Sequence, residues 1–245
     1  MAAPRLWPRR PSSHAWVPGG AQARYARRLG FPALNIRTGF YSADTDRFLP
    51  LGRRLLDQRT ERWPHRLLCV ARYIPTKGHQ LLCDTFATLC DQGRAGDWEL
   101  WIAGTGELHD HVVNSASGRH ARIRHLGFVQ AEDMAKVVEQ CGVFVLPSTY
   151  EPWGVVVHEH ACAALPLLLS SAVGAGERFL APGENGVRFV AGDGADMRKA
   201  LLQLIERSDA ELRAMGERSR ALGAQWTPTE WSRVVMDLMK ARREA

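Results

Sequence analysis

Short apolar runs alternate with segments of helical periodicity from residue 66 onward. The apolar runs have the length of β-strands; they are RLLCVA (66–71), WELWIA (98–103), IRHLGF (123–128), GVFVLP (142–147), PLLLSS (166–171) and GVRFV (186–190). In the first intervening segment, residues 77–90, the apolar side chains fall on one face of a helix. Strands that alternate with helices of about ten to fifteen residues are typical of βαβ units. The pattern therefore predicts an α/β fold with a parallel sheet of about six strands flanked by helices.

The two ends of the chain have different patterns. After residue 193 the pattern is helical only, in three segments that end with TPTEWSRVVMDLMKARR (227–243). Residues 1–60 contain one helical pattern, AQARYARRLG (21–30), followed by the turn-rich stretch NIRTGFYSADTDRFLP (35–50). A segment this irregular cannot bury a core alone and is typical of a linker. We therefore predict three parts: residues 1–60, an α/β domain over 61–225, and a final helix within 226–245.

Composition and charge limit the possible functions. The 245 residues are 45% apolar, which is enough for a hydrophobic core. The sequence contains no run of eighteen apolar residues, so it does not predict a transmembrane helix. Five cysteines without a C-x-x-C pair favour a reducing cytosol. Residues 1–62 contain twelve arginines and four acids, a charge of +8, whereas the whole chain has +6. This asymmetry indicates either a polyanion or membrane partner, or only an arginine-biased coding sequence; no basic-aromatic motif indicates nucleic acid.

The first candidate site is STYEPWGVVVHEH, residues 148–160. Glu151 follows the predicted strand 142–147, and a helix that begins at Pro152 would aim its free N–H groups outward. Those groups belong to Trp153, Gly154 and Val155. Such a helix tip attracts anions, and Glu159 lies further along the same helix. The arrangement suits a nucleotide sugar, with N–H donors for phosphate and carboxylates for sugar hydroxyls.

Two alternatives exist for the same stretch. The three valines at 155–157 favour a strand, in which Glu159 would be an ordinary exposed residue. We predict the helix, because propensity is a weak guide and a predicted strand already ends at residue 147. His158 and His160 raise a metal hypothesis, but on a helix they diverge by about 200°. No third ligand stands at a characteristic spacing, so we predict no metal site and assign the histidines to packing or to a polar face.

A second candidate site is VARYIPTKGH, in which Arg72 ends the first strand and Lys77 opens the following helix. Cations at this position can neutralise a diphosphate, although solvated loop charges would have the same sequence. GTGELHD (104–110) follows the second strand. It lacks the third glycine of G-x-G-x-x-G, which argues against a dinucleotide fingerprint but not against a glycine turn beside a ligand. In GERFLAPGENG, Glu177 is either a site residue or a surface carboxylate.

Taken together, these motifs resemble the retaining glycosyltransferases of family 4. The match runs in order through Arg72 with Lys77-Gly78, GTGEL, HLGFV, VLPSTYEPWG…E…ALP and GERF…GENG, and covers about residues 35–240. Glu151 and Glu159 correspond to that family's E-x7-E signature. The family has the GT-B architecture, in which two Rossmann-like domains face a cleft and the carboxy-terminal one binds the nucleotide sugar without a metal. The resemblance implies that this chain is the carboxy-terminal half.

The resemblance also implies roles for individual residues. Arg72 and Lys77 would hold the donor diphosphate, and Glu151 would position the donor rather than act as a nucleophile. These three are the expected catalytic residues. The expected donor-binding residues are Glu159 for the ribose hydroxyls, the Trp153, Gly154 and Val155 backbone for the transferred sugar, Phe128 and Val129 for the base, and Gly104 and Gly106 for the pocket floor.

The chain departs from the family pattern in two respects. Ala164 stands where the family usually has glycine in A-C-G-x-P. Most of the amino-terminal domain has no counterpart, since residues 14–50 resemble only its last helix and the crossover. We therefore expect residues 1–60 to be a remnant of the acceptor domain, and residues 226–245 to return toward it. A fragment, a split gene or a late start codon would each give this sequence.

The function implied is metal-independent transfer, with retention, of a hexose-type sugar from a nucleoside-diphosphate sugar. The acceptor would be an unidentified sugar or lipid-linked molecule in polysaccharide biosynthesis, and the chain alone would be weakly active. No cofactor is expected besides the donor substrate. The alternatives are a non-catalytic donor-binding subunit that needs a separate amino-terminal chain, and a GT-B sugar-nucleotide epimerase. The implied location is the cytoplasm, with the arginine-rich start favouring the inner face of the membrane.

Overall fold

A six-stranded parallel sheet forms the centre of the computed structural model, which describes residues 12–241. Its strands are β3 (Arg66–Val70), β4 (Glu99–Ala103), β5 (Ile123–Gly127), β6 (Val143–Leu146), β7 (Leu167–Ser170) and β8 (Gly186–Phe189). They lie in the order β5-β4-β3-β6-β7-β8, and every neighbouring pair is parallel. Each of the six apolar runs became a strand because a parallel sheet is covered on both faces. The predicted fold class is confirmed.

Helices cover both faces of this sheet. The helices after β3 are α3 (His79–Asp91), α4 (His109–Asn114), α5 (Ala131–Val138), α6 (Val155–Cys162), α7 (Gly176–Phe179), α8 (Gly194–Ile205), α9 (Asp209–Gly223) and α10 (Pro228–Ala241), of which α10 packs through Trp231 on Trp16 of the amino-terminal segment. One buried cluster joins α3 and α8 to the sheet through residues such as Phe86 and Leu201. The other joins α6 and α7 through Val157 and Phe179. The fold is therefore doubly wound.

The segment before the sheet holds more structure than its sequence predicts. It contains a two-stranded parallel sheet, β1 (Ala15–Val17) with β2 (Ile36–Thr38), connected by α1 (Gly20–Arg28). It also contains α2 (Thr45–Gln58), whose first turns fall in the stretch predicted as turns. That prediction was wrong because Pro50 and the polar residues at the start of the helix are typical of turns, although the helix has an apolar face. Phe48, Leu51 and Leu55 of this face are buried against the core of the α6 side.

The turn into β7 contains an alanine in a conformation that glycine prefers. Ala164 has φ 62°, and among residues 12–241 it is the sole non-glycine residue with positive φ. A left-handed conformation costs about 1–2 kcal/mol for a residue with a Cβ. This chain therefore places alanine at a position whose conformation favours glycine, the residue expected there from the resemblance.

At the amino ends of the strands, a histidine joins three elements. His65 Nδ1 lies 2.5 Å from Asp97 Oδ1, and His65 Nε2 lies 2.8 Å from Asp209 Oδ1. Burial lowers the pKa of His65, but the hydrogen bonds and charges of both carboxylates outweigh it, so that the pKa is raised. The imidazolium therefore connects the segment before β3 with the segment before β4 and the start of α9.

The two chain termini are only partly described. The final helix was expected to extend to residue 243, and α10 is described to Ala241; residues 1–11 and 242–245 lie outside the described part. Within residues 12–241, no helix combines the length and the apolar character needed to cross a bilayer. The division of the chain at residues 60 and 225 remains a prediction.

Candidate active site

The sheet has a switch point between β3 and β6. Strands β3 to β5 extend the sheet in one direction, and β6 to β8 extend it in the other. Ligands of open α/β sheets bind outside the carboxyl ends of the strands at such a point. The loops that leave β3 and β6 touch there: the Thr149 N–H donates to the Thr76 carbonyl at 2.8 Å. A Cβ on Gly78 would lie 2.4 Å from the Pro147 carbonyl oxygen, so this contact needs glycine.

These two loops bring Lys77 and Glu151 together, although they are 74 positions apart. Lys77 Nζ donates to Glu151 Oε2 at 2.5 Å, and the two side chains are only 17% and 14% exposed. Reduced solvent access strengthens the attraction between opposite charges. An ammonium and a carboxylate thus form a mostly buried pair at the switch point.

The helix predicted after Glu151 exists, but it starts later than expected. It begins at Val155 instead of Pro152. The Glu151 backbone first forms a parallel bridge with Val173, and Gly154 adopts φ 92° immediately before the helix. The first helical bond runs from the Val157 N–H to the Gly154 carbonyl. The preceding N–H groups of Gly154 and Val155 have no intrahelical acceptor, as expected for a helix start.

Trp153 contributes to this site only through its backbone. Its side chain is buried and packs edge-to-face on Phe179, with ring centroids 6.3 Å apart. Its carbonyl accepts a hydrogen bond from the Ala175 N–H at 2.8 Å. The loop between β6 and α6 is therefore fixed to the loop after β7, and the start of α6 has a defined orientation.

Arg72, Gly104, Gly106, Phe128 and Val129 line one cavity of about 430 Å³, at the carboxyl ends of β3, β4 and β5. Both glycines are required sterically. A Cβ on Gly104 would lie 2.0 Å from the Ala71 carbonyl oxygen, and one on Gly106 would lie 2.5 Å from the Tyr73 carbonyl oxygen. Phe128 is 67% exposed. The structure thus brings five of the predicted residues to one concave surface, which has a volume suited to a small ligand.

Glu159 lies apart from this cavity. It is half-buried on α6, near Asp44 and Arg47 at the start of α2. Burial raises its pKa, and the nearby Asp44 adds to the effect, whereas Arg47 opposes it. Glu159 is not among the residues that line the cavity of Arg72. The sequence could not reveal its neighbours, because α2 was not predicted.

The two histidines beside Glu159 serve packing. His158 Nδ1 accepts from the Ala43 N–H at 3.0 Å, while Nε2 donates to the Gly223 carbonyl at 2.9 Å. His160 stacks on Phe144, with ring centroids 4.1 Å apart. Burial lowers the pKa of each histidine to about 4, so both are neutral at pH 7. In the part of the chain that the structure describes, no group of three or more His, Cys, Asp or Glu side chains could hold a metal ion.

A second cavity, of about 380 Å³, lies on the α1 side of Glu151. Its charged lining includes Glu177 and two residues that sequence reasoning missed, Arg24 and Arg188. Arg24 belongs to the predicted helix 21–30, but nothing in the sequence indicates which element that helix contacts. Arg188 had one signal, since it is the single charge within the apolar run GVRFV.

The doubly wound sheet, with charged loops at its switch point, defines the class of protein: an α/β unit like those of the GT-B glycosyltransferases. The similarity extends to the crystal structure of Anabaena HepE in complex with UDP, with a TM-score of 0.75 and 19% identity. The similarity covers 94% of this chain and 64% of that one. At this identity it is evidence for the fold alone. Residues 64–207 match the family described as Glycosyl transferases group 1, and the chain belongs to that family.

Curated relatives are similar over part of their length. The chain is 25% identical over 179 residues to an uncharacterized glycosyltransferase of Methanocaldococcus jannaschii, covering 72% of this chain and 47% of that protein. It is 30% identical over 177 residues to phosphatidyl-myo-inositol mannosyltransferase of Mycobacterium leprae, covering 71% of this chain and 45% of that protein. The chain thus spans less than half the length of either relative.

Proposed function

We propose that this chain is the donor-binding half of a retaining, metal-independent glycosyltransferase, which transfers a hexose-type sugar from a nucleoside-diphosphate sugar. The observation that carries the proposal is the Lys77–Glu151 pair at the switch point, directly before the start of α6. A cation, a carboxylate and outward N–H groups at one place match the phosphates and hydroxyls of such a donor. Family membership supports the same class of reaction.

In the proposed reaction, the acceptor hydroxyl oxygen forms a bond to the anomeric carbon of the donor sugar. The bond between that carbon and the phosphate oxygen breaks, its electron pair goes to the diphosphate, and the hydroxyl proton passes to the leaving oxygen. Lys77 and Arg72 stabilise the negative charge that develops on the diphosphate. Glu151 orients the sugar hydroxyls and holds Lys77 in place. Glu151 therefore does not act as a nucleophile in this reaction.

The remaining donor contacts follow from position. The cavity of Arg72 takes the base, with Phe128 and Val129 at its rim and Gly104 and Gly106 at its floor. The backbone of Trp153 to Val155 faces the sugar. The assignment of Glu159 to the ribose hydroxyls rests on the E-x7-E spacing, and its half-buried carboxylate has acceptor capacity for that purpose.

Calorimetric titration with UDP and with GDP tests the proposal. We expect wild-type protein to bind at least one of them, and K77A to weaken that binding by at least about tenfold, the lower limit for a lost hydrogen bond to a charged group. K199A is the matched control, because Lys199 is exposed on α8. No heat with either nucleotide at millimolar concentration would exclude the donor site.

A second candidate function is a non-catalytic subunit that forms its cleft with a separate amino-terminal chain. The observation that favours it is the β1–β2 sheet, since two parallel strands alone form a marginal sheet with open edges. Trp16 of β1 packs on Phe40 and Trp231, and Phe40 is 41% exposed. Sugar transfer or donor hydrolysis by the purified chain alone would exclude a purely non-catalytic role. No observation favours an epimerase.

We further propose that the protein acts in the cytoplasm at an anionic membrane surface. Arg27 and Arg28 of α1 are exposed, as is Arg37. Exposed arginines in a segment without acids attract anionic lipids. Flotation with vesicles containing phosphatidylglycerol tests this contact. We expect binding at 50 mM salt that is lost at 500 mM, and absence of binding at low salt would contradict it.

A further inference from the structure

We infer that the cavity on the α1 side of Glu151 binds an acceptor that carries an anionic group, and that Arg24 and Arg188 recognise this group. The inference rests on the proposed function, because Glu151 is the residue at which the cavity meets the donor site. It adds the chemical class of the acceptor, which that proposal leaves open.

The cavity is built by four separate parts of the fold. Its walls are the amino-terminal half of α1, the loop between β6 and α6, the segment from the loop after β7 into α7, and Arg188 on β8. Gln22 Nε2 donates to the Pro152 carbonyl at 2.9 Å, and the Gly20 N–H donates to Glu177 Oε1 at 2.6 Å. These two bonds hold the start of α1 against the loop between β6 and α6 and against α7. The resulting volume of about 380 Å³ falls within the usual range for small-molecule sites.

The charges in this cavity are not equivalent. Each carboxylate already has a partner: Glu151 has Lys77, and Glu177 has the Gly20 N–H. Neither Arg24 nor Arg188 forms a salt bridge with another residue of the described range 12–241. Arg188 donates to the Gly176 carbonyl through Nη2, which leaves the other guanidinium donors available. Two guanidinium groups with free donors, beside carboxylates that are already bonded, favour an anionic ligand such as a phosphate.

The position of the cavity identifies that ligand as the acceptor. The cavity is lined by Glu151, which pairs with Lys77, so a molecule in it lies beside the proposed donor sugar. Tyr150 also lines the cavity and is 65% exposed. An aromatic face next to hydrogen-bonding groups suits a sugar ring, which has apolar C–H faces and polar edges. A sugar that bears a phosphate or a carboxylate fits both features.

The test compares glucose 6-phosphate with glucose, each titrated by saturation-transfer NMR in the presence of saturating UDP. UDP prevents the phosphate from binding beside Lys77. We expect glucose 6-phosphate to bind at least about tenfold more tightly than glucose, since each guanidinium adds a charge-assisted hydrogen bond. R24Q and R188Q should each reduce this preference several-fold, and the double variant should remove it. R53Q is the matched control, because Arg53 is exposed on α2 and lies outside the cavity.

Equal affinity for the two sugars, or a preference that survives in the double variant, would overturn the inference. UDP titration of the same proteins separates this failure from a failure of the proposed function. R24Q and R188Q should leave the UDP affinity within about twofold of wild type, because neither residue lines the cavity of Arg72. A larger loss of UDP affinity in either variant would show that the arginine serves the donor instead, and would also overturn the inference.

Discussion

Replacement of Lys77 by methionine should separate its structural role from its binding role. Lys77 and Glu151 are each less than one-fifth exposed, so K77M leaves a carboxylate without its cation in a mostly buried position. Loss of one partner of a buried pair costs about 3–5 kcal/mol, and the partial exposure of this pair places the cost at the lower end, about 3 kcal/mol. For a chain of this size, that corresponds to a fall in Tm of about 6–12 °C.

The reverse change should cost less. E151Q leaves Lys77 without a carboxylate, but its long side chain can move the ammonium toward water, so we expect a loss of about 1 kcal/mol. The double variant K77M/E151Q removes both charges and should be about as stable as E151Q. The coupling energy between the two sites should therefore be about 2–3 kcal/mol.

Across these variants, UDP affinity should not change in parallel with the free energy of unfolding. K77M loses a hydrogen bond to a charged phosphate, worth about 1.5–3 kcal/mol, and should weaken UDP binding by about 10- to 150-fold. The double variant should regain stability without regaining affinity. Urea unfolding and calorimetric titration of the four proteins measure the two quantities separately. Additive stability losses would refute the buried pair, and full UDP affinity in K77M would refute the phosphate role.

Three further predictions concern stability. His65 has a raised pKa, so its imidazolium stabilises the fold fully below its ordinary pKa of 6.5, and this contribution is lost as the pH rises through the raised pKa. H65Q should therefore lower Tm more at pH 5.5 than at pH 9, and an equal effect at both pH values would contradict this role. G104A places a Cβ 2.0 Å from the Ala71 carbonyl oxygen, whereas a Cβ in G183A meets nothing within 4 Å. In urea unfolding, G104A should lose about 1–3 kcal/mol more stability than G183A. Equal losses would mean that the contact at Gly104 relaxes freely. A164G removes the cost of positive φ but also a buried methyl group, so stability should change by less than about 1 kcal/mol. A164V should lose more than about 2 kcal/mol in the same urea assay. Tolerance of valine would exclude a conformational constraint at this turn.

The sequence by itself determined the sheet. Runs such as residues 142–147 and 166–171 are apolar throughout, and only a strand covered on both faces buries every side chain of such a run. It also determined that Lys77 and Glu151 follow strands, so that both had to lie at the carboxyl edge. The helix after Glu151 was predicted despite three valines, because tertiary context outweighs their preference for strands.

The tertiary structure alone decided which charges meet. Strand order is a long-range property. Strands β4 and β5 are added on one side of β3 and strands β6 to β8 on the other, so that β3 and β6 are neighbours in the sheet. This neighbourhood brings Lys77 to Glu151. The same holds for α2, whose apolar face is stabilised by helices more than a hundred residues away. It holds also for Arg24, which reaches the cavity because α1 packs across the loop at Pro152. Local patterns encode which face of an element is apolar, whereas the packing of distant elements selects its partner.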